Sequence, residues 1–532
     1  MRVQVDDGRH LRDAMVIHET SRSRAGDPTS AEAVRADRLG GTPGDEALLA
    51  HVRPSGWRNP APRSIYDLVV VGGGTAGLVS AAIAAALGAR VALIERDRLG
   101  GDCLHHGCVP SKALLRSARA VAEAREAEPF GIAAGEPRAD FAAVMRRLRD
   151  RRLAIAPRDS AARLAAAGVD VFFAAARFVD RRTLAAGEVR LRFRRAIVAT
   201  GSRPRLPPIR GLDSVAPLTS DTLFDLDALP SSLAVIGAGP TGCELAQAFA
   251  LLGSRVTLLE AQPRILPAED PDAAAVVQRR LERHGLRIET DVEIVEVGAA
   301  AHGASIVFRR RGDPGTVTEL AAERVLVAAG RAPVFDSLGL EAAGIATSAA
   351  GVSVDDRLRT TNPRVYAAGD VCTPCGSTHA ADAMARVAVR NALFFGRTRF
   401  DAAAVPSCVY TLPELARIGP VAPAAADTIT IPFTEIDRAV IDDDEGDGFV
   451  RVHHRRGRLV GCTIAGPQAG ELIAVAAVAL RARAGLRALS ETILPYPTRA
   501  EAFRRAGDEH RRAQLTPFVR RWLARRFEWL RW

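Results

Sequence analysis

An apolar, strand-like run, Ile65-Tyr66-Asp67-Leu68-Val69-Val70-Val71, leads into Gly72-Gly73-Gly74-Thr75-Ala76-Gly77, an alanine-rich helical stretch and a second apolar run ending in Glu95. The order returns downstream as Leu233-Ala234-Val235-Ile236, Gly237-Ala238-Gly239-Pro240-Thr241-Gly242, a helical stretch, and Arg255-Val256-Thr257-Leu258-Leu259-Glu260. The interval from Gly72 to Glu95 equals that from Gly237 to Glu260. Glycines at the first, third and sixth places let the backbone turn tightly, approach a pyrophosphate at a helix N-terminus and pack helix on strand. The carboxylate accepts hydrogen bonds from a ribose. One such motif is weak evidence. Two with matched strand context and acid spacing constrain the chain to an α/β fold with two Rossmann-like, doubly wound dinucleotide-binding domains. The expected binding residues are Gly72, Gly74, Gly77 and Glu95 in the first copy and Gly237, Gly239, Gly242 and Glu260 in the second.

After the first copy comes Gly100-Gly101-Asp102-Cys103-Leu104-His105-His106-Gly107-Cys108-Val109-Pro110-Ser111-Lys112. Lys112 is the only lysine; every other basic residue is arginine. This predicts a place where a compact ammonium fits and a planar guanidinium does not. Two closely spaced thiols can close a disulfide, and a cation nearby stabilises a thiolate or a reduced cofactor. Two dinucleotides and a dithiol describe an electron relay from nicotinamide to flavin to disulfide to substrate. The first copy, directly followed by Cys103 and Cys108, is then expected to hold FAD and the second NAD(P)H. Glu260 favours NADH, because a carboxylate at the ribose repels a 2′-phosphate; Arg264 nearby keeps NADPH open.

At 532 residues the chain has room for three or four domains. Its net charge of +10 comes with arginine- and alanine-rich usage that reads as a coding bias, so no nucleic-acid partner is expected. Seven scattered cysteines, an odd number, argue against a secreted disulfide framework and for a reducing cytoplasm with one catalytic pair. The charged first twenty residues offer no signal-peptide core. The apolar stretches 68–94 and 233–259 read as strand, turn and helix rather than membrane spans.

Further motifs are Ala199-Thr200-Gly201-Ser202, Ala329-Gly330-Arg331-Ala332-Pro333, Tyr366-Ala367-Ala368-Gly369-Asp370 with Thr378-His379, and Tyr410-Thr411-Leu412-Pro413-Glu414. With the cysteine pair, these make residues 64–505 resemble the class I pyridine nucleotide-disulfide oxidoreductases, the group of dihydrolipoamide dehydrogenase, glutathione reductase and mercuric reductase. The resemblance implies that Cys103 is the interchange thiol, Cys108 the charge-transfer thiol, and Lys112 the partner of Glu244 beside the flavin. It further implies that Thr200, Gly201, Ser202, Asp370 and His379 bind FAD and that Gly330 binds NAD. Residues 64–205 and 335–398 would form the FAD domain, 206–334 the NAD(P) domain, and 399–510 an α+β dimerisation domain. The family closes on His-Pro-Thr-x-x-Glu, supplied by the partner subunit. Here it reads Tyr496-Pro497-Thr498-Arg499-Ala500-Glu501, and a phenol of pKa about 10 is a poor base at neutral pH. Tyrosine at this place is similar to mercuric reductase, in which thiolate-bound metal needs no histidine base. The expected function is therefore NAD(P)H-dependent reduction of a thiol-bound metal ion or other small acceptor by a homodimer, with no resident metal site. The alternatives are a dihydrolipoamide dehydrogenase-like reductase and an NADH:quinone-type reductase at a membrane surface.

His105 and His106 read either as a replacement base or as hydrogen-bonding spacers. Cys372-Thr373-Pro374-Cys375 reads as a second dithiol, half a metal site or core packing; Cys243, Cys408 and Cys462 read as inert. Residues 511–532 predict a basic amphipathic helix carrying three of the four tryptophans, suited to a membrane interface or to packing on the dimer. Residues 1–63 form an extension, disordered or loosely attached to residue 44, followed by a short helix expected to pack on the FAD domain.

Overall fold

The structure, a computed structural model, describes residues 43–373, 376–394, 396–444, 446 and 448–531, without the side chains of 43, 44 and 314. The loosely attached segment expected before residue 43, and Cys375 of the C-x-x-C, lie outside the described residues. Among the described residues, every sheet lies after residue 46.

Tyr66–Val71 is flanked by Val91–Glu95 on one side and Val189–Val198 on the other, all parallel, with Val70 opposite Leu93 and Ile197. Val169–Phe173 extends the sheet beyond Val91–Glu95, and Val365–Ala367, far downstream, joins in parallel on Val189–Val198. An antiparallel arm, Thr183–Ala186 and Ala176–Asp180, completes it. Runs such as Leu68-Val69-Val70-Val71 are buried on both faces, on one side by helices such as Thr75–Ala86 and Thr378–Leu393 and on the other by the antiparallel arm and the segment around Leu338–Val352, so they are continuously apolar rather than alternating. Leu48, Val52 and Trp57 pack on this sheet, and the Trp57 indole donates to the Val171 carbonyl at 3.2 Å.

The second repeat builds a parallel sheet in the order Arg287–Glu289, Arg255–Leu259, Ser232–Ile236, Arg324–Val327, with an antiparallel three-stranded sheet (Val292–Ala300, Gly303–Arg310, Asp313–Ala322) beside it. From Ser407 the pattern changes: five strands pair antiparallel, with helices Ala469–Arg481 and Glu501–Ala513 against them. The fold is thus α/β, with two dinucleotide-binding domains and a C-terminal α+β domain. The three bodies meet where helix Cys108–Arg125 lies against helix Pro240–Leu252 and the Ser407–Val409 strand comes down beside them.

Candidate active site

The two glycine turns are built alike. A Cβ on Gly77 would lie 1.8 Å from the Gly72 carbonyl oxygen, and one on Gly242 1.9 Å from that of Gly237, so both positions require glycine for helix to meet strand. Glu95 accepts from the amides of Gly73 (2.5 Å) and Asp97 (2.7 Å); Glu260 accepts from those of Ala238 (2.6 Å) and Gln262 (2.9 Å). Burial pushes the Glu95 carboxyl up, and the Asp97 and Gly73 amides oppose that. Helices Thr75–Ala86 and Pro240–Leu252 begin at Gly74 and Gly239 with no side-chain cap, whereas Asp140, Asp270, Ser377 and Thr516 cap their own helices. The uncapped first-turn amides are left for phosphate oxygens, and a Cβ on Gly239 would meet nothing within 4 Å. These cradles fit two dinucleotides.

The redox segment is stitched onto the first turn. The Gly100 amide donates to the Gly73 carbonyl at 2.9 Å, and a Cβ on Gly101 would come within 2.5 Å of the Gly74 Cα. Cys103 lies on the short helix Gly101–His105, and Cys108 is the first residue of Cys108–Arg125. Both thiols are free, hydrogen-bonded to one another, and the Thr378 hydroxyl sits 3.1 Å from the Cys108 sulfur. The hydrogen bond from Cys103 pulls the Cys108 pKa down to about 6, helped by Thr378 and the Lys112 charge one turn along. Its place at the start of an uncapped helix adds the dipole. The Cys103 thiol is pushed up by the same hydrogen bond and by burial.

Lys112 Nζ is 2.7 Å from Glu244 Oε2 and 4.5 Å from the centre of the Tyr410 ring, and the Tyr410 amide donates to Glu244 Oε1 at 2.9 Å. One residue from each body meets at the ammonium. Asp370 accepts from the Ser202 hydroxyl at 2.7 Å. Arg331 donates to Ser202 Oγ (2.7 Å) and lies 3.2 Å from Asp102. Thr200 donates to the Val334 carbonyl at 2.5 Å, and Gly201 and Gly330 turn at φ +67° and +102°. The sequence motifs contain Thr378, Arg331 and Tyr410 without giving them a role in the site; the signal for Thr378 is its place directly after Ser377, the cap of helix Thr378–Leu393.

Other expectations fare differently. His105 is buried, its Nε2 lies 2.8 Å from the Leu99 carbonyl, and burial pulls its pKa down to about 3. Its ring is turned to the backbone, the arrangement expected of a hydrogen-bonding spacer. His379 turns its ring to the Pro406 carbonyl at 2.5 Å, and it is the neighbouring Thr378 that reaches the thiols. Cys372 donates to the Gly369 carbonyl at 3.4 Å. Cys243 and Cys462 are buried and Cys408 half-buried, with thiols pushed up by burial. Tyr496 is 71% exposed and donates to Asp437 at 2.8 Å, which raises its pKa. Glu501 is buried and takes Arg504 (2.9 Å) and Arg505 (3.2 Å) on one oxygen, leaving Oε2 without a partner among the described residues. Asp102, His106 and Asp221 bring one ligand atom each within 4.8 Å of one another, a grouping that sequence spacing did not reveal. Among the described residues, no helix is long and apolar enough to cross a membrane.

Residues 66–386 match the pyridine nucleotide-disulphide oxidoreductase family, and 405–507 match its dimerisation domain. The chain belongs to this family. It is similar to dihydrolipoyl dehydrogenase of Bacillus subtilis (32% identity, 82% of this chain and 96% of that protein) and to mercuric reductase of Acidithiobacillus ferrooxidans (35%, 86% and 84%). Among solved structures it resembles LpdA of Mycobacterium tuberculosis (TM-score 0.75, 29% identity, 83% of this chain, 99% of that one). It also resembles a Cu(II) complex of the HOCl-induced flavoprotein disulfide reductase RclA of Escherichia coli (0.73, 26%, 84% and 99%). The protein is a flavin-dependent pyridine nucleotide-disulfide oxidoreductase using FAD and NAD(P)H. Bound FAD supplies the two-electron link between nicotinamide and disulfide.

Proposed function

We propose that this oxidoreductase uses NADH and that its Cys103–Cys108 dithiol serves reduction of a thiolate-bound metal ion. In this reading, FAD lies against Gly72, Gly74, Gly77, Glu95 and Asp370, and NADH against Gly237, Gly239, Gly242 and Glu260. Cys108, held as a thiolate by Cys103, Thr378 and Lys112, faces the flavin, and Cys103 exchanges with the acceptor. The observation that carries the choice of acceptor is Tyr496. Its hydroxyl is committed to Asp437 and its pKa is raised, so it keeps its proton at neutral pH, when a dithiol substrate needs a base. Metal already bound by thiolates needs none. Arg264 turns its guanidinium onto the carbonyls of Leu266, Pro267 and Glu269 at 2.7–2.9 Å rather than toward a 2′-phosphate, which supports NADH. The dimerisation domain supports a homodimer; in this reading Tyr496 and Glu501 face the other subunit's Cys103. The test is anaerobic NADH titration of the FAD-loaded protein, then addition of Hg(II), Cu(II) or oxidised lipoamide. A long-wavelength charge-transfer band that a metal ion discharges faster than lipoamide supports the reading. Faster discharge by lipoamide overturns it in favour of a dihydrolipoyl dehydrogenase-like activity.

We propose too that helix Pro517–Leu530 docks on an anionic lipid surface. None of its residues is buried, and Phe518, Trp522 and Trp529 are exposed. Arg520, Arg521, Arg525 and Arg526 stand against the single acid Glu528, so charge complements anionic headgroups, while a second copy of the helix would meet it with like charge. The Arg526 guanidinium lies over the Trp522 ring at 5.9 Å and can reach past it to the headgroups. Full-length protein should sediment with phosphatidylglycerol vesicles and lose this with Trp522→Ser and Trp529→Ser together; a full-length protein that ignores the vesicles sinks the idea.

A further inference from the structure

A cavity of about 690 Å³ opens on the first sheet at the edge where its parallel strands begin. Asp67, which lines it, stands near the start of Tyr66–Val71, and the Gly72 turn comes after the end of that strand. At about 3.3 Å per residue the two edges are roughly 15–20 Å apart, so this cavity is separate from the dinucleotide cradles.

Its charge is one-sided. Arg182, Arg192, Arg194, Arg195 and Arg364 line it, and among the described residues Asp67 is the only acid in the lining. Among the described residues Arg194 alone of the five has a carboxylate partner, Asp67 at 3.6 Å, and Asp67 also accepts from the Arg90 amide. Arg195 is held in place by donating to the Ala392 carbonyl at 3.1 Å and to the Arg194 carbonyl. Desolvation first, and then the neighbouring charges of Arg182 and Arg195, pull the Arg364 pKa down. A coding bias toward arginine explains how many arginines the chain has, but not five converging on one concavity. Beside them Leu87 and Phe394 leave an apolar ledge, each more than half exposed.

We infer that this cavity binds a polyphosphate anion, inorganic or carried by a nucleotide, at a site distinct from those for FAD and NADH. Several planar forks around one opening suit phosphate oxygens, and like-signed walls focus the field on a multiply charged ligand. Leu87 and Phe394 would lie under a base if the ligand is a nucleotide.

The test is calorimetric titration of the FAD-loaded, full-length protein with sodium tripolyphosphate and, separately, ATP, with saturating NAD⁺ present to fill the second glycine turn. Binding of either probe, weakening as salt rises and weakened at least tenfold by Arg182→Ala with Arg364→Ala while FAD content and NADH turnover stay unchanged, supports the site. ATP that binds tenfold more tightly than tripolyphosphate, with the advantage lost in Phe394→Ser, identifies a nucleotide; equal binding identifies the inorganic anion. Absence of binding by both probes, or binding that survives the double substitution, overturns the inference.

Discussion

The two nucleotide-binding repeats are close copies down to single hydrogen bonds, yet only the first is followed directly by a pair of cysteines. In each, the acid at the end of the second strand takes the amide inside the glycine turn and the amide two residues on. In each, the returning chain then donates to the turn's second residue, Gly100 to Gly73 and Leu266 to Ala238, both at 2.9 Å and both with positive φ. There the likeness ends. After Gly100 the chain coils into two helices that present Cys103 and Cys108. After Leu266 it is clamped by Arg264 and passes to helix Pro271–Arg283, whose Asp270 cap is paired with Arg451 at 2.7 Å. The repeat is a scaffold for a dinucleotide; in the proposed function the segment beyond that shared hydrogen bond is what lets electrons leave it.

The two repeats should part most sharply at the thiols. Cys103→Ser or Cys108→Ser should lower acceptor turnover by on the order of 1000-fold, whereas Cys243→Ser, on the helix of the second repeat, should leave it within about twofold, as steady-state assays would show. A Cys243 variant as inactive as the Cys108 one would end the asymmetry.

The glycines sharpen the assignment of the copies. Gly77→Ala and Gly242→Ala each force a Cβ into a carbonyl and should destabilise by about 3 kcal/mol. The first should purify with little flavin; the second should stay yellow and show a raised KM for NADH. The reverse pattern would exchange the two sites.

Lys112→Arg should cost about tenfold in turnover, because the larger planar group must displace either Tyr410 or Glu244, and the charge-transfer band should weaken with it. Lys112→Ala should in addition lower stability by about 1–2 kcal/mol, discounted because the ammonium is a third exposed, by leaving Glu244 buried without its cation.

The smallest effects lie in pH. The Cys108 pKa is depressed, so its thiolate is present above about 6 and is lost as pH falls through that value; the band of the two-electron-reduced protein should fade over that range. His105, neutral when buried, has a folded pKa of about 3 against an ordinary 6.5. Its contribution to stability is complete above the ordinary value and is lost as pH falls toward 3, and His105→Asn should flatten the acid limb of a thermal-melt series.

The glycine turns, their acids, the dithiol and its lone lysine are legible in the sequence because each is a local pattern: a strand period, a fixed spacing, or a residue type used once. The directions of side chains are not. His105 sits between the cysteines in sequence, yet its ring is turned to the Leu99 carbonyl; His379 is the flavin contact that the motif implies, yet Thr378 meets the sulfur. Arg264 reads in sequence as a cation near the ribose, and its donors are spent on three carbonyls. In each case a neighbour remote in sequence, or an unpaired backbone oxygen, competed for the donor and won.

The order of residues by itself determined that two dinucleotide cradles would form and that a dithiol would come after the first, since glycine sterics and strand hydrophobicity act within a few dozen residues. Only tertiary packing brought Glu244 and Tyr410 to Lys112, Thr378 to Cys108, and five arginines to one cavity. Those contacts join segments up to some 300 residues apart, and burial, hydrogen-bond satisfaction and charge balance could act on them only once the three bodies had closed together.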